Sequence, residues 1–207
     1  LSRFLKGSLS QLLQEDVPEA DRRRFAANIL GHSERLARMI DMTLALAAVE
    51  HRQTLENPET FALDAVVREI AAASETQFAA GGIALRVETV DASIAIAGDR
   101  FLAGQAIRNL LQNALEFSPR GGTVDIVLRK QAPEAVLTVR DRGPGIPDFA
   151  LPRVFDRFYS LARPDGQRSS GLGLCFVREV AALHRGSIAI ANDPAGGALA
   201  TLTLPLA

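Results

Sequence analysis

Residues 1–52 carry an apolar pattern of helical period and show no strand-like alternation. A first apolar run is interrupted at 15–19 by polar residues and a proline, and a second run then continues to residue 50. Its apolar positions advance in alternating steps of four and three residues, the spacing of a coiled-coil or helical-bundle seam. These positions are Phe25, Ile29, His32, Leu36, Met39, Thr43 and Leu46.

A second apolar row lies beside this stripe and widens the apolar face of the second helix. It consists of Ala26, Leu30, Ala37, Ile40, Leu44 and Ala47. Two helices cannot bury so wide a face against each other alone. A homodimer in which two hairpins form a four-helix bundle would cover it, and so would packing against another part of a longer protein. The sequence therefore predicts a helical hairpin over 1–52 that needs a partner.

The pattern changes after the polar segment 51–60, which we interpret as a linker between two units. The helices predicted beyond it cover 62–80, which Gly81 and Gly82 terminate, 99–117, with Asp99 as N-cap, and 173–184. Strand-like runs fall at 83–90, 93–97, 123–130, 135–140, 187–192 and 198–204. This mixed order predicts an α/β sandwich with helices on one face of a mixed sheet. The whole chain is therefore expected to be α+β, with domains at 1–52 and 53–207.

Composition narrows the classes of function. Lys and Arg number 23 against 24 Asp and Glu, so the net charge of −1 offers no basic field for a nucleic-acid backbone. A single cysteine and three scattered histidines do not suggest a metal cage. No apolar run is long enough to cross a bilayer. Composition thus disfavours a nucleic-acid-binding protein, a metal cage and a membrane span. Candidate functional residues must therefore be sought in local motifs.

The first candidate motif is DRGPGIP at 141–147, directly after the predicted strand 135–140. A carboxylate at a strand end accepts a hydrogen bond from an exocyclic amine, and the following glycines let a flat ring approach the backbone. This combination suits adenine. A simple Gly-Pro turn explains the same residues about equally well when the motif is taken alone.

The second candidate is NLLQN at 109–113, inside the predicted helix 99–117. Asn109 and Asn113 share one helical face, although asparagine is a poor helix former. Their amide oxygens are neutral hard ligands that suit Mg²⁺ bound to nucleotide phosphates. A solvated polar face is the alternative.

The third candidate, SSGLGL at 169–174, immediately precedes a predicted helix. Glycines at a helix start expose backbone N–H groups that can hold phosphate. The motif is neither a Walker A loop nor a Rossmann fingerprint. Between it and the first motif, FDRFY at 155–159 begins a polar stretch to residue 168 that could close over a ligand, or be an ordinary long loop.

The order and spacing of these segments resemble the catalytic domain of histidine kinases, a member of the ATPase superfamily shared with gyrase and mismatch-repair ATPases. The corresponding boxes are the N box NLLQNALEFSP (109–119), the first glycine box DRGPGIP (141–147), the F box FDRFY (155–159) and the second glycine box SSGLGL (169–174). Residues 20–50 resemble the second helix of the dimerisation and phosphoacceptor domain. The stretch from the F box to the second glycine box is most similar to the CreC-type sensor kinases.

The resemblance implies an ATP-binding sandwich of the Bergerat type for 53–207 and a dimerisation hairpin for 1–52. It also implies that ATP and Mg²⁺ are bound. The site residues that it assigns are Asp141 for the adenine amine, Gly143 and Gly145 for the adenine pocket, Asn113 for Mg²⁺, Asn109 for the phosphate region, Gly171, Leu172 and Gly173 for the triphosphate, and Arg157 for the γ-phosphate. Related ATPases that hydrolyse ATP have a glutamate where Asn109 stands, so transfer to a protein acceptor is expected in place of transfer to water.

Two features depart from the family pattern. Glu116 stands where the family usually has a lysine, so one charge that would neutralise phosphate is missing. Either weaker ATP affinity or compensation by Arg157, Arg163 or Arg168 is expected. The H box with the phosphoacceptor histidine is absent, and Leu1 is expected to begin just past it. His32 on the helical stripe, His51 in the linker and His184 at a helix end do not replace it.

The sequence thus predicts the core of an ATP-dependent sensor histidine kinase. It would transfer the γ-phosphoryl group to a histidine absent from this chain, and thence to an aspartate in the receiver domain of a response regulator. A homodimer is expected, without nucleic acid, as the cytoplasmic portion of a bacterial inner-membrane sensor whose membrane part lies outside the chain. The alternatives are a degenerate nucleotide-binding scaffold, which Glu116 favours, and a gyrase-type ATPase, which Asn109 disfavours.

Overall fold

The computed structural model of the chain describes residues 18–52, 54–91, 93–161 and 169–207. The predicted first helix of the hairpin, before residue 15, lies outside the described residues. The chain divides into two compact units, one ending at Leu44 and the other running from Ala45 to Ala207. The predicted domain boundary after residue 52 stays a prediction.

The first unit consists, in its described part, of most of one long helix. This helix, α1, runs from Glu19 to Glu50, where the sequence predicted a helix, and the hairpin itself stays a prediction. Glu19 and Asp21 lie in its first turn, where negative charge stabilises the helix dipole. Its predicted apolar rows include side chains that are 41–64% exposed, namely Leu30, Leu36, Ile40 and Leu44. The dimeric bundle that would cover them stays a prediction.

The second unit begins with the last turns of α1, where Leu46 and Val49 are buried. The helices that follow are α2 (Leu63–Gly81), α3 (Arg100–Phe117) and α4 (Gly173–Leu183). The strands are β1 (Glu59–Ala62), β2 (Ala84–Thr89), β3 (Ala95–Gly98), β4 (Thr123–Gln131), β5 (Glu134–Arg140), β6 (Ser187–Asn192) and β7 (Ala198–Pro205). A short 3₁₀ helix lies at Leu151–Arg153.

The main sheet has five strands in the order β2-β4-β5-β7-β6. β2 is parallel to β4, and the other neighbours are antiparallel. Alternate residues of the central strands are buried, as Ile126, Leu137 and Leu202 illustrate, and the residues between them are half-buried. One face of the sheet therefore carries the core, and α3 and α4 pack together there. The predicted sandwich with a mixed sheet is confirmed.

Local signals explain where the helices of the second unit begin and end. Asp99 caps α3, because its side chain accepts a hydrogen bond from the N–H of Leu102 at 3.0 Å. Gly82 follows α2 with φ +68°, the left-handed conformation that glycine adopts without strain. Both caps were predicted. β1, which pairs with β3, was missed because only Phe61 among its four residues is buried and the segment has the polar composition of a linker.

His184 follows α4 as its C-terminal cap, at the helix end where the sequence predicted it. Its ring is buried, and Nε2 accepts a hydrogen bond from the N–H of Asp99 at 3.0 Å. Nδ1 lies 2.8 Å from the carbonyl oxygen of Val180. Through these two contacts His184 is a packing residue that joins α4 to the start of α3.

None of the helices in the described ranges is both long enough and apolar enough to cross a membrane.

Candidate functional site

Asp141 is the buried acid of the site and directly follows β5. Its Oδ1 accepts hydrogen bonds from the backbone N–H of Ala198 at 3.0 Å and of Gly143 at 2.8 Å. Burial raises the pKa of this carboxyl, and the two backbone hydrogen bonds partly oppose the rise. Oδ2 accepts no hydrogen bond from the described residues, so it is available to a ligand that brings a donor.

The glycines after Asp141 keep the surrounding backbone close-packed and bare. A Cβ on Gly143 would lie 2.5 Å from the carbonyl oxygen of Phe117, the last residue of α3. Gly145 has φ +75°, and a Cβ there would lie 2.9 Å from Oδ1 of Asn192. A side chain at either position would therefore push the first glycine box away from its neighbours.

Asn192, at the end of β6, holds the first glycine box in place. Its Oδ1 accepts a hydrogen bond from the N–H of Ile146 at 2.7 Å, and its Nδ2 donates to the carbonyl oxygen of Ile146 at 2.8 Å. This paired contact was not predicted from the sequence. A single asparagine at a strand end carries no local signal for a partner 46 residues away.

The N box presents the predicted polar face on α3. Asn109, Asn113 and Glu116 are half-buried along one side of the helix, at spacings that place them on successive turns. The opposite side packs into the core through Ile107, Leu110, Leu111 and Ala114, all of which are buried. The polar residues therefore stand at the edge of the core, facing away from it.

The second glycine box begins α4 beside this polar face. A Cβ on Gly173 would lie 3.5 Å from Oδ1 of Asn109, so the start of α4 and the N box are neighbours. No side chain caps α4, and its N-cap residue Leu172 is buried. Leu172 can thus contribute to binding only through its backbone, and the first turn of α4 offers N–H groups to an anion.

Gly171 fixes the second glycine box against the F box. It has φ +70°, and a Cβ there would lie 2.5 Å from the carbonyl carbon of Phe158. The N–H of Phe158 donates to the carbonyl oxygen of Gly171 at 2.9 Å. Because only a glycine fits this approach, the two boxes form one packed segment on either side of residues 162–168, which lie outside the described ranges.

Glu116 connects the N box to the second glycine box. Its Oε2 accepts a hydrogen bond from the hydroxyl of Ser169 at 2.6 Å, and its Oε1 accepts one from Nε2 of Gln112 at 2.9 Å. At position 116, where the sequence lacks the lysine of the family pattern, the structure thus has a hydrogen-bonded carboxylate. Neither contact was predicted.

Arg157, which the sequence assigned to the γ-phosphate, forms an ion pair with Glu50 at the end of α1. Both residues belong to the second unit. A guanidinium carries several donors, so a contact with Glu50 does not use all of them. Its role toward phosphate stays a prediction.

Glu50 also belongs to the one group of metal-ligand types that the described ranges bring together. Its carboxylate, the Cys175 thiol and the Glu179 carboxylate lie within 4.8 Å of one another. Arg178 donates to Glu179 at 3.3 Å, and Arg157 pairs with Glu50, so cationic side chains already balance both carboxylates. Burial raises the pKa of the Cys175 thiol, which is fully buried. We interpret the group as an ionic cluster.

The structure therefore brings the predicted residues together around α3. Gly143 touches the C-terminal end of the helix, while Gly173 lies against Asn109 near its middle. Asn113 stands between these two points on the same face. An acid that can accept an amine donor and a helix start that can hold an anion are thus placed along one polar face.

Comparison with known proteins identifies the class to which this arrangement belongs. Residues 98–207 match the family described as histidine kinase-, DNA gyrase B-, and HSP90-like ATPase. The match covers more than half of the chain, and the chain belongs to this family. All four predicted motif boxes fall within the matched range.

Curated relatives are named as sensor proteins and sensor-like histidine kinases. The chain is 39% identical over 197 residues to the sensor protein CreC of Escherichia coli (strain K12), covering 94% of the chain and 40% of CreC. It is 34% identical over 206 residues to the sensor-like histidine kinase SenX3 of Mycolicibacterium smegmatis, covering 96% of the chain and 53% of SenX3. The predicted resemblance to CreC-type sensor kinases is confirmed, and the chain spans about half the length of these relatives or less.

Solved structures agree on the fold. The catalytic domain of histidine kinase ThkA is 25% identical with a TM-score of 0.65, covering 72% of the chain and 97% of that domain. The structure of ThkA in complex with response regulator protein TrrA has a TM-score of 0.81 at 22% identity, covering 100% of the chain and 57% of ThkA. The latter likeness concerns the fold alone.

Proposed function

We propose that this chain is the ATP-binding core of a sensor histidine kinase. The observation that carries the proposal is the buried carboxyl of Asp141, whose Oδ1 is held by two backbone N–H groups while Oδ2 has no such partner among the described residues. An acid held in this way is preorganised for a ligand amine. Because the chain belongs to the ATPase family, adenine is the ligand that fits.

Adenine recognition follows from the chemistry of Asp141 and its glycines. Oδ2 would accept the exocyclic amine of adenine, and the bare backbone at Gly143 and Gly145 would lie beside the ring. Adenine carries its exocyclic amine on C6. Guanine carries an oxygen acceptor on C6 and its amine on C2, so it offers no donor at the position that Asp141 would contact. Asp141 would therefore select adenine over guanine.

The triphosphate fits the other end of the polar face. The uncapped start of α4 at Gly173 supplies backbone N–H groups and the positive end of a helix dipole. Leu172 would contribute its backbone. Gly171, which has no side chain, lets the second glycine box pack closely against the F box. Asn109 adjoins Gly173 and would contact the phosphates, with Arg157 as the candidate for the γ-phosphate.

Mg²⁺ fits the residues present because the polar face of α3 offers amide oxygens. This ion keeps most of its waters and takes few protein ligands, so Asn113 as a single protein ligand suits it. When bound, Mg²⁺ would neutralise charge on the phosphate oxygens. Asn109 cannot accept a proton from water as a carboxylate would, which favours phosphoryl transfer to a protein side chain over hydrolysis.

The acceptor and the partners follow from the sequence resemblance. The γ-phosphoryl group would pass to a histidine outside this chain, within a dimer formed by the N-terminal hairpin, and then to an aspartate of a response regulator. The complex of ThkA with TrrA supports the last step by analogy of fold. The position as the cytoplasmic part of an inner-membrane sensor stays a prediction.

Calorimetric titration with Mg²⁺-ATP tests the site. Wild type should bind, and Asp141→Asn should lose at least about tenfold in affinity, because an amide donor replaces the acceptor that meets the adenine amine. Asp148→Asn, an exposed acid in the same segment, is the matched control and should bind as wild type does. Equal binding by wild type and Asp141→Asn would refute the adenine assignment.

A longer protein that includes the segment before Leu1 tests the reaction. Incubation with γ-labelled ATP should give an acid-labile phosphohistidine, and the label should pass to a receiver domain. ATP affinity without any labelling would favour the alternative of a nucleotide-binding scaffold. Steady phosphate release without labelling would instead favour a gyrase-type ATPase.

A further inference from the structure

Glu116 occupies a position on α3 that a triphosphate site makes unfavourable for an acid. It follows Asn109 and Asn113 on the same half-buried face, so its charge lies on the polar face along which the nucleotide would bind. A carboxylate there repels phosphate, and its desolvation adds a cost. Its retention in such a place needs a compensating role, and its hydrogen bonds indicate one.

The carboxylate joins two elements that both contribute to the site. Oε2 accepts from the hydroxyl of Ser169 at 2.6 Å, a short distance that is typical of a hydrogen bond to a charged acceptor. Ser169 begins the second glycine box, and its N–H donates to the hydroxyl of Ser160 at 3.0 Å. The hydrogen bond from Ser169 to Glu116 therefore fixes the entry of the segment that leads to Gly171 and Gly173.

Two glutamine side chains, Gln112 and Gln77, form a hydrogen-bonded row that ends at the other oxygen of the Glu116 carboxylate. Nε2 of Gln112 donates to Oε1 of Glu116 at 2.9 Å, and Nε2 of Gln77 donates to Oε1 of Gln112 at 3.1 Å. Gln77 lies on α2, so the row links α2, α3 and the second glycine box. A side chain restrained on both oxygens loses its rotamer freedom on folding and not on ligand binding, which is preorganisation.

We propose that Glu116 is a positioning residue whose hydrogen bond to Ser169 holds the second glycine box against the N box in the geometry that binds the triphosphate. The proposal rests on the proposed function. Glu116 should then aid nucleotide binding through its hydrogen bond to Ser169 and oppose nucleotide binding through its negative charge. Variants that remove the hydrogen bond or the charge separately distinguish these two effects.

The variants Glu116→Gln, Glu116→Ala and Ser169→Ala separate these effects. Glu116→Gln keeps an oxygen that accepts from Ser169 and removes the charge, so Mg²⁺-ATP should bind as tightly as to wild type or more tightly. Glu116→Ala and Ser169→Ala both break the contact, so affinity should fall about three- to tenfold in each. The loss in the double alanine variant should be smaller than the sum of the two single losses, because both single changes remove the hydrogen bond between Ser169 and Glu116. Glu75→Ala, an exposed acid on α2, is the control.

Two further measurements distinguish positioning from a general loss of stability. Adenosine binding, followed by NMR titration, should be equal in all variants because adenosine lacks phosphates. Hydrogen exchange of the amides at 169–174 in ligand-free protein should be faster in the two alanine variants and unchanged in Glu116→Gln. Restoration by glutamine of both the Mg²⁺-ATP affinity and the slow exchange at 169–174 is the signature of the contact.

The proposal is overturned if Glu116→Ala binds Mg²⁺-ATP as tightly as wild type with unchanged exchange at 169–174, since the carboxylate would then act only as a repulsive charge. It is also overturned if Glu116→Gln is as weak as Glu116→Ala. Failure of wild type itself to bind Mg²⁺-ATP would instead refute the proposed function, and the exchange measurement would still decide whether the contact holds the glycine box.

Discussion

Asp141 lowers the stability of the protein through the same burial that prepares it for a ligand. Because burial raises its pKa in the folded state, ionisation of the carboxyl opposes folding. The stability associated with the protonated group is fully present below the unfolded pKa of about 3.9 and is lost as pH rises through the folded-state pKa. At neutral pH the ionised acid therefore destabilises the free protein.

Replacement of Asp141 by asparagine should consequently stabilise the ligand-free protein at pH 7. The amide oxygen can still accept from Gly143 and Ala198, and the side chain carries no charge at any pH. The melting temperature of Asp141→Asn should exceed that of wild type at pH 7, and the difference should shrink as pH falls toward 4. Asp148→Asn should show no such pH-dependent difference, and a wild type more stable than Asp141→Asn at pH 7 would contradict the prediction.

At the scale of elements, the turn between β6 and β7 supports the site through a close backbone approach. Gly197 has φ +90°, and a Cβ there would overlap the backbone carbonyl of Asp141. The adjoining Gly196 has φ +95°, but a Cβ there would meet no atom within 4 Å. The two glycines share a positive φ, which would strain any other residue, and differ in the space around them.

These glycines form a matched pair of variants. Gly196→Ala should cost about 1–2 kcal/mol in the free energy of unfolding, for the positive φ alone. Gly197→Ala should cost about 1–3 kcal/mol more, because the methyl group must displace Asp141 as well. Urea denaturation measures both values, and ATP affinity should fall only in Gly197→Ala. Equal costs for the two variants would show that the close approach contributes nothing.

The elements that the sequence predicted are those with local signals. Asp99 and Gly82 mark helix ends by their own chemistry, and strand alternation predicted β4, β5 and β7 within a residue or two. The first glycine box likewise predicted an acid directly after a strand, where Asp141 lies, and its role toward adenine stays a prediction. The parallel pairing of β2 with β4 has no such signal, because it depends on which strands meet across the sheet.

The contacts that sequence reasoning missed join residues far apart in the chain. Asn192 and Ile146 are separated by 46 positions, and Ser169 and Glu116 by 53. Each of these residues is ordinary for its own segment, and its role appears only when the fold brings the segments together. The identity of Glu116 was read from the family pattern as a missing positive charge, whereas its hydrogen bonds reveal a second role.

At the scale of the whole molecule, the two units differ in how completely they bury their apolar residues. The unit from Ala45 to Ala207 encloses a core between its sheet and its helices. The described part of the first unit is a helix on which Leu30, Leu36, Ile40 and Leu44 stay largely exposed. Exposed aliphatic side chains in a row favour association, which agrees with the predicted homodimer.

A charge placed in this apolar row should therefore dissociate the predicted homodimer. Ile40 is 52% exposed in the single chain, and a second copy that covered it would have to bury an unpaired carboxylate in Ile40→Asp. Light scattering should give a dimer mass for wild type and a monomer mass for this variant.

Asn28→Asp, which adds the same charge at an exposed position outside both apolar rows, should remain dimeric. Urea unfolding of the nucleotide-binding unit should change by less than about 0.5 kcal/mol in either variant, since neither position belongs to that unit. A dimer that survives Ile40→Asp would exclude this face of α1 as the interface.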